Sequence, residues 1–179
     1  MEYTFTLKYQ LAEQDANHDE LVERLGAAGC DDALVGTGQP GRIALEFVRE
    51  AESAEDALIS ALSDVKSAIP SAKLIEAAPD FVGLTDVADV IGVTRQNMRK
   101  LMVNNATTFP TPVHDGSASV WHLAEVMSWL QGREAYKIDA SMLEVATTAM
   151  QVNLAKEVEV RQLQPKVRRG LRSLFAIAS

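Results

Sequence analysis

The chain has a single cysteine, Cys30, among its 179 residues. An internal disulfide is therefore excluded. With no ligand-spaced partner, the thiol is expected to serve as a small buried apolar side chain. Histidine is also scarce: His18, His114 and His122 are scattered without metal-ligand spacing, so neither a metal nor a cofactor is expected. No apolar run reaches the length of about 18 residues that a membrane helix needs. The N-terminus, MEYTFTLKYQ, lacks the basic start and apolar core of a secretory signal, so a cytoplasmic location is expected, with no membrane partner. No nucleophile–base set or paired-carboxylate motif is visible, which argues against an enzyme.

Positive charge is scarce at the front of the chain. Residues 1–79 carry 6 basic and 15 acidic side chains, residues 80–136 carry 4 and 6, and residues 137–179 carry 7 and 4, within a net charge of −8. Such a balance excludes a general coat for DNA. It still allows a local basic face to read a site, because the overall charge suppresses non-specific binding. Apolar residues make up 47% and charged residues 23%, the proportions of an ordinary globular protein.

The first 79 residues alternate in character. Tyr3, Phe5, Leu7 and Tyr9 fall on one side of a strand, with Thr4, Thr6, Lys8 and Gln10 on the other. A helix is expected from Asn17 to Gly29, with Leu21, Val22, Leu25 and Ala28 inward. A short strand follows at Asp32–Gly36, then a Gly-rich turn over 36–41 and a second alternating strand at Arg42–Arg49, with Ile43, Leu45 and Phe47 on one side. Ser53 is placed to cap a helix whose inward positions are Ala57, Leu58, Ala61, Leu62, Val65 and Ile69, and Pro70 ends it before a last strand at 72–77. The order β-α-β-β-α-β predicts an α+β, ferredoxin-like split unit over residues 1–79. That layout hosts many functions. An interaction or dimerisation module and a ligand sensor both remain open.

The most informative stretch is Gly83–Met102, GLTDVADVIGVTRQNMRKLM. Its periodicity predicts two short helices meeting at a tight turn. Thr85 can cap the first, whose inward positions are Val87, Ala88 and Ile91, and Gly92 can take the positive φ of the turn. Thr94 caps the second, with Met98, Leu101 and Met102 inward. The remaining face shows Arg95, Gln96, Asn97, Arg99 and Lys100, with no acid among them. Cations and amides together grip phosphates and read base edges in a major groove. The plain alternative is an αα-hairpin with a solvated face.

Further on come Phe109-Pro110-Thr111-Pro112, Asp115-Gly116, Val120-Trp121 and a helix closing on Trp129-Leu130. Together with Leu84-Thr85 and Gly92-Val93-Thr94-Arg95, residues 83–131 resemble the excisionase/AlpA-like branch of the MerR superfamily of winged helix-turn-helix domains. The resemblance implies a DNA-binding domain over residues 80–136, with Thr85, Thr94, Arg95, Gln96, Asn97, Arg99 and Lys100 at the DNA. His114, Ser117 and Ser119 would be the polar tips of the wing. The sequence departs from the family at Ser117-Ala118-Ser119, where such wings usually carry Arg or Lys.

Residues 137–179 are expected to be helical and to serve in oligomerisation. Met142, Leu143, Val145, Ala146, Ala149, Met150 and Val152 form a stripe too wide for one exposed helix, which must pack on the body or on a second subunit. Residues 156–163 are read as continued helix. Past Pro165 an amphipathic helix is expected over 166–177, with Val167, Leu171, Leu174, Phe175 and Ile177 inward and Lys166, Arg168, Arg169 and Arg172 outward. That basic face is a solvated surface, a phosphate contact, or a dock for another subunit's acidic N-terminal unit. The chain as a whole reads as a sequence-specific DNA-binding transcriptional regulator, a homodimeric repressor or autoregulator. The alternative is an antitoxin-like protein that binds a protein partner through its N-terminal unit and autoregulates its operon.

Overall fold

The computed structural model describes residues 1–175 except 16, 134 and 162, with side chains to Leu171. The expected positions Arg172, Leu174, Phe175 and Ile177 lie outside the described side chains.

The first elements are β1 (Glu2–Gln10), α1 (His18–Ala27), β2 (Ala33–Gly36), β3 (Arg42–Glu50), α2 (Ala54–Ala68) and β4 (Lys73–Ala78). The strands form one sheet in the order β2-β3-β1-β4, with antiparallel neighbours throughout. Tyr3 lies opposite Arg49, Phe5 opposite Phe47 and Leu7 opposite Leu45, so the period-two pattern of both strands delivers one apolar face to α1 and α2. Phe5 and Phe47 stack at 5.2 Å. Asn17 caps α1 through Glu20 N, and Ser53 caps α2 through Asp56 N at 3.1 Å. Val22 corrects an expectation. It is largely exposed, because Leu21 and Leu25 fill the narrow seam of a short helix and Val22 lies beside it.

Cys30 is buried in this core. Burial, and then the nearby Asp64 carboxylate, push its thiol up to about 11, so it stays a neutral packing group at neutral pH. The larger surprise is Arg49, which continues the inward parity of Ile43, Leu45 and Phe47 and is only 8% exposed. Its guanidinium reaches Asp32 at 2.7 and 3.0 Å, Asp64 at 2.8 Å and the Gly29 carbonyl at 2.8 Å. The Asp32 hydrogen bond is the largest of several effects that hold it charged. Arg49 thereby ties the end of α1 to β3 and α2.

The second group comprises β5 (Phe81–Val82), α3 (Leu84–Ile91), α4 (Arg95–Asn104), β6 (Trp121–His122) and α5 (Leu123–Gln131), followed by α6 (Ala140–Val160) and α7 (Pro165–Phe175). β5 and β6 form a two-residue antiparallel pair. A second core gathers Val82, Val87, Ala88, Met98, Phe109, Trp121, Leu123, Val126 and Leu130.

Helix α6 serves both cores. Val145 and Ala149 sit in the first, while Ala146 sits in the second, with Met142, Leu143 and Met150 packed against it. The width of the stripe is thus explained inside the chain: of the two covers expected, the body and a second subunit, the body supplies this one. Of residues 156–163, expected to continue the helix, those to Val160 do so, and Arg161 caps its end. Beyond residue 153 α6 turns outward: Leu154 is 50% and Val158 55% exposed. In α7, Val167 was expected inward but is also largely exposed, since the helix begins at Pro165 away from either core.

At the junction stands Asn153, fully buried on α6. Its Oδ1 accepts from Ala77 N, and its Nδ2 donates to both Ala77 O and Asp80 Oδ2, at 2.7–2.8 Å. The other oxygen of Asp80 accepts from His122 Nδ1 at 2.6 Å, and the Asp80 carbonyl accepts from Leu123 N at 2.8 Å. One amide thus occupies the outer edge of β4 as a neighbouring strand would. Asn153→Ala strands the Ala77 peptide groups and an Asp80 oxygen in the interior, and is expected to cost about 2–4 kcal/mol. A lowered urea midpoint with little change in slope is the expected readout; an unchanged midpoint would show that the amide holds nothing.

Candidate nucleic-acid interface

Helix α3 opens at Gly83, whose extended backbone lets Asp86 Oδ2 accept from Gly83 N at 2.7 Å. This corrects the expected cap at Thr85, which lies inside the helix and is exposed. The effective signal was the carboxylate three residues downstream of Gly83, reaching back to the cap. Val87 and Ala88 point inward. Gly92 ends the helix at φ 74°, ψ 33°, a left-handed conformation that a side chain would strain. The turn is closed by Val93 N donating to Ala88 O at 2.9 Å.

Thr94 then caps α4, as expected, its Oγ1 accepting from Asn97 N at 3.1 Å. Met98 is fully buried, with Leu101 and Met102 half-buried beside it. The inward stripe therefore sits on α3 and turns the opposite face to solvent. Arg95, Gln96, Asn97, Arg99 and Lys100 are all exposed, and so are Val103 and Asn104, which the sequence reading left out. None of the described ion pairs involves Arg95, Arg99 or Lys100. The face presents three uncommitted cations, three amides and one valine.

The far end of α4 is clamped. Asn105 Nδ2 donates to Leu101 O at 2.8 Å, and Asn105 Oδ1 accepts from Arg133 Nη2 at 2.9 Å. The Arg133 guanidinium lies 3.9 Å from the centre of the Trp129 ring, and Phe109 meets both Trp129 and Trp121 edge-on. Sequence reasoning gave Arg133 no role, since it lies past the Gly132 cap of α5, where helical spacing carries no signal.

The loop from Pro110 to Val120 makes a short reversal at the place expected for the wing. It closes through one bridge, His114 to Val120, and Trp121 pairs with Val82 of β5 instead of with a wing strand. Two prolines and a short polar tip leave too few paired residues for a ladder. Trp121 is buried and donates to Pro110 O at 3.0 Å, which fixes the base of the loop. At the tip, His114 and Ser117 are exposed and Ser119 is half-buried. Ser119 Oγ donates to Asp115 Oδ1 at 2.9 Å, and the His114 ring folds over Gly116. The structure thus gathers the five α4 residues on one face and leaves the three loop residues on a separate tip with a carboxylate at its centre.

Among the described residues no cluster of His, Cys, Asp or Glu could hold a metal ion, and no helix is long and apolar enough to cross a membrane. Residues 80–134 match the family model described as Prophage CP4-57 regulatory protein (AlpA). No curated protein and no solved structure matched the chain. The matched stretch contains α3, α4, the loop and α5.

Arg133→Ala is expected to loosen the end of α4 at a cost of about 1–2 kcal/mol, since both the ring contact and the Asn105 hydrogen bond are lost. Arg133→Lys should recover only part of this, because an ammonium cannot stack and fork together. Equal denaturation midpoints for all three chains would remove the clamp from consideration.

Proposed function

We propose that the chain is a sequence-specific DNA-binding regulator that inserts α4 into a major groove. The observation that carries this reading is the outward face of α4. Arg95, Gln96, Asn97, Arg99, Lys100 and Asn104 stand exposed with no acid among them, on a chain of net charge −8. A solvated helix of so acidic a protein has no need of a face purged of carboxylates. A phosphate backbone does need one. The family match over residues 80–134 supports the same reading, and with it a winged helix-turn-helix of the excisionase/AlpA-like kind. The winged character rests on a short, weakly charged loop, so α4 carries most of the contact.

In this reading residues 80–136 form the DNA-binding domain and residues 1–79 a ferredoxin-like unit, a layout supported by the antiparallel order β2-β3-β1-β4. Residues 137–179 join the two and extend beyond them. Arg95 and Gln96, at the N-terminal end of α4, read bases. Arg99 and Lys100 serve phosphates, with Thr94 and Asn97 at the start of α4 and Thr85 in the first turn of α3 offered for backbone contact. The protein acts in the cytoplasm as a homodimeric repressor or autoregulator, since a single small module buries too little surface for tight specific binding. The exposed Leu154 and Val158 of α6 supply the pairing surface. A second reading, an antitoxin-like protein with a protein partner on the acidic N-terminal unit, is favoured by the open sheet face, where Leu34 is 72% exposed.

Selection from a random duplex pool is expected to return a defined site. Arg95→Ala and Gln96→Ala should each relax preference at a base pair and cost about 1–3 kcal/mol. Arg99→Ala and Lys100→Ala should weaken all sequences alike and flatten the salt dependence. Unchanged affinity of the Arg95 and Gln96 variants for the selected site would sink the assignment. For pairing, the full chain should sediment as a dimer and the double variant Leu154→Glu, Val158→Glu as a monomer; a dimer that survives both changes places the contact elsewhere.

A further inference from the structure

Val103 is the one apolar residue on the outward face of α4, and it is 59% exposed. The inward side of the helix is already supplied by Met98, Leu101 and Met102, so packing on α3 does not call for it. Helix stability does not call for it either, since a β-branched residue at an exposed helical position is a poorer helix former than Lys, Gln or Ala. Gln96, Lys100 and Val103 follow one another at i, i+4 and i+7, which puts the valine on the same line as the amide and the cation. Arg99 and Asn104 stand beside it, both exposed. Val103 also forms the edge of a shallow groove of about 390 Å³ whose lining includes Ala106, Phe109, Pro110 and, on the loop, Asp115.

An apolar side chain with Arg99 and Lys100 one turn before it and Asn104 beside it fits a surface that is anionic overall and carries an isolated apolar group. The major-groove edge of DNA has one such group, the C5-methyl of thymine. We infer that Val103 is a specificity-determining residue that packs on a thymine methyl within the site read by α4. The inference rests on the proposed DNA-binding reading and deepens it by naming a base. From Gln96 to Val103 the helix advances about 10 Å, or about three base-pair steps, so the thymine lies about that far along the groove from the base that Gln96 contacts. A docking surface for a protein is the competing use of an exposed valine. The two uncommitted cations one turn before it, Arg99 and Lys100, favour nucleic acid.

The test uses the full chain and the duplex it selects from a random pool. Each thymidine of one half-site is replaced in turn by deoxyuridine, which removes the methyl and leaves every hydrogen-bonding group in place. At one position, about three base pairs from the one whose preference Gln96→Ala relaxes, the wild-type chain is expected to lose affinity about three- to five-fold, the value of one buried methyl. Val103→Ala should bind the thymidine duplex more weakly and bind the two duplexes equally. Val103→Ile, which keeps the apolar contact, should restore the difference. Because Val103 is exposed and Ala favours helix, both variants are expected to fold, which equal melting temperatures would verify. Wild-type affinity indifferent to every deoxyuridine, or full discrimination by Val103→Ala, overturns the inference while the selected site upholds the DNA-binding reading. Enrichment of no site from the pool overturns both.

Discussion

The junction between the two cores depends on a buried carboxylate that must be satisfied from two directions. Asp80 lies in the interior, with one oxygen bonded to His122 at the start of α5 and the other to Asn153 on α6. A buried carboxylate left with either oxygen unpaired would be costly, so the positions of α5 and α6 are fixed relative to the residue between them. Asn153 adds the edge of β4 to the same constraint, and Lys156 bonds the Ile75 carbonyl one turn further on. The edge strand is covered by side chains of a helix, which leaves β4 with little template for another chain. The apolar contacts of α6 on either side follow from this placement. Val145 and Ala149 fall against the sheet unit, and Ala146 falls against the helical one.

Much of this was legible because it obeys short periods. The inward residues of β1 and β3 recur every second position and those of α2 every third or fourth, so the strands, helices and caps at Ser53 and Thr94 followed from spacing alone. The α4 face was legible for the same reason: once Met98 and Leu101 are inward, Arg95, Gln96, Arg99 and Lys100 must be outward. Periodicity fails where a polar residue occupies an inward position. Arg49 shares the parity of Phe47, and only its meeting with Asp32 and Asp64, distant in sequence, makes the burial of its charge tolerable. Asn153 was hidden likewise among the apolar residues of α6. The cap at Gly83 was missed because its polar group belongs to Asp86.

The width of the α6 stripe posed a different problem. A broad apolar surface signals that something covers it, and pattern alone carries no information on whether that cover comes from the same chain. Two cores in one chain gave the answer, and the surplus moved to Leu154 and Val158, where the covered stripe stops. The reversal where the wing was expected is short for want of residues. Between Pro112 and Trp121 the segment is long enough for a turn but has a single bridge, and Asp115 holds Ser119 within the tip. Turn residues predicted the reversal correctly and said nothing about how far a ladder would extend from it.

Charge and rigidity act together in the proposed reading. The cations of α4 are few, and the body carries a large excess of acid, concentrated in residues 1–79. A duplex approaching in most orientations meets repulsion over a Debye length of about 8 Å at physiological salt, and only contact along α4 relieves it. Such discrimination requires that the acidic unit hold its place while α4 is in the groove; on a loose tether it could approach the phosphates and erode the local attraction. The Asp80–Asn153 junction and the shared packing of α6 supply that fixed placement, far from the reading face. The internal order of α4 is secured separately, by Thr94 at one end and the Arg133–Asn105 clamp at the other. Damage to the junction should therefore alter how strongly the body opposes DNA, with base preference kept, whereas damage to the clamp should blur base preference itself. The residues that decide where α4 points and those that decide what it reads are thus different sets.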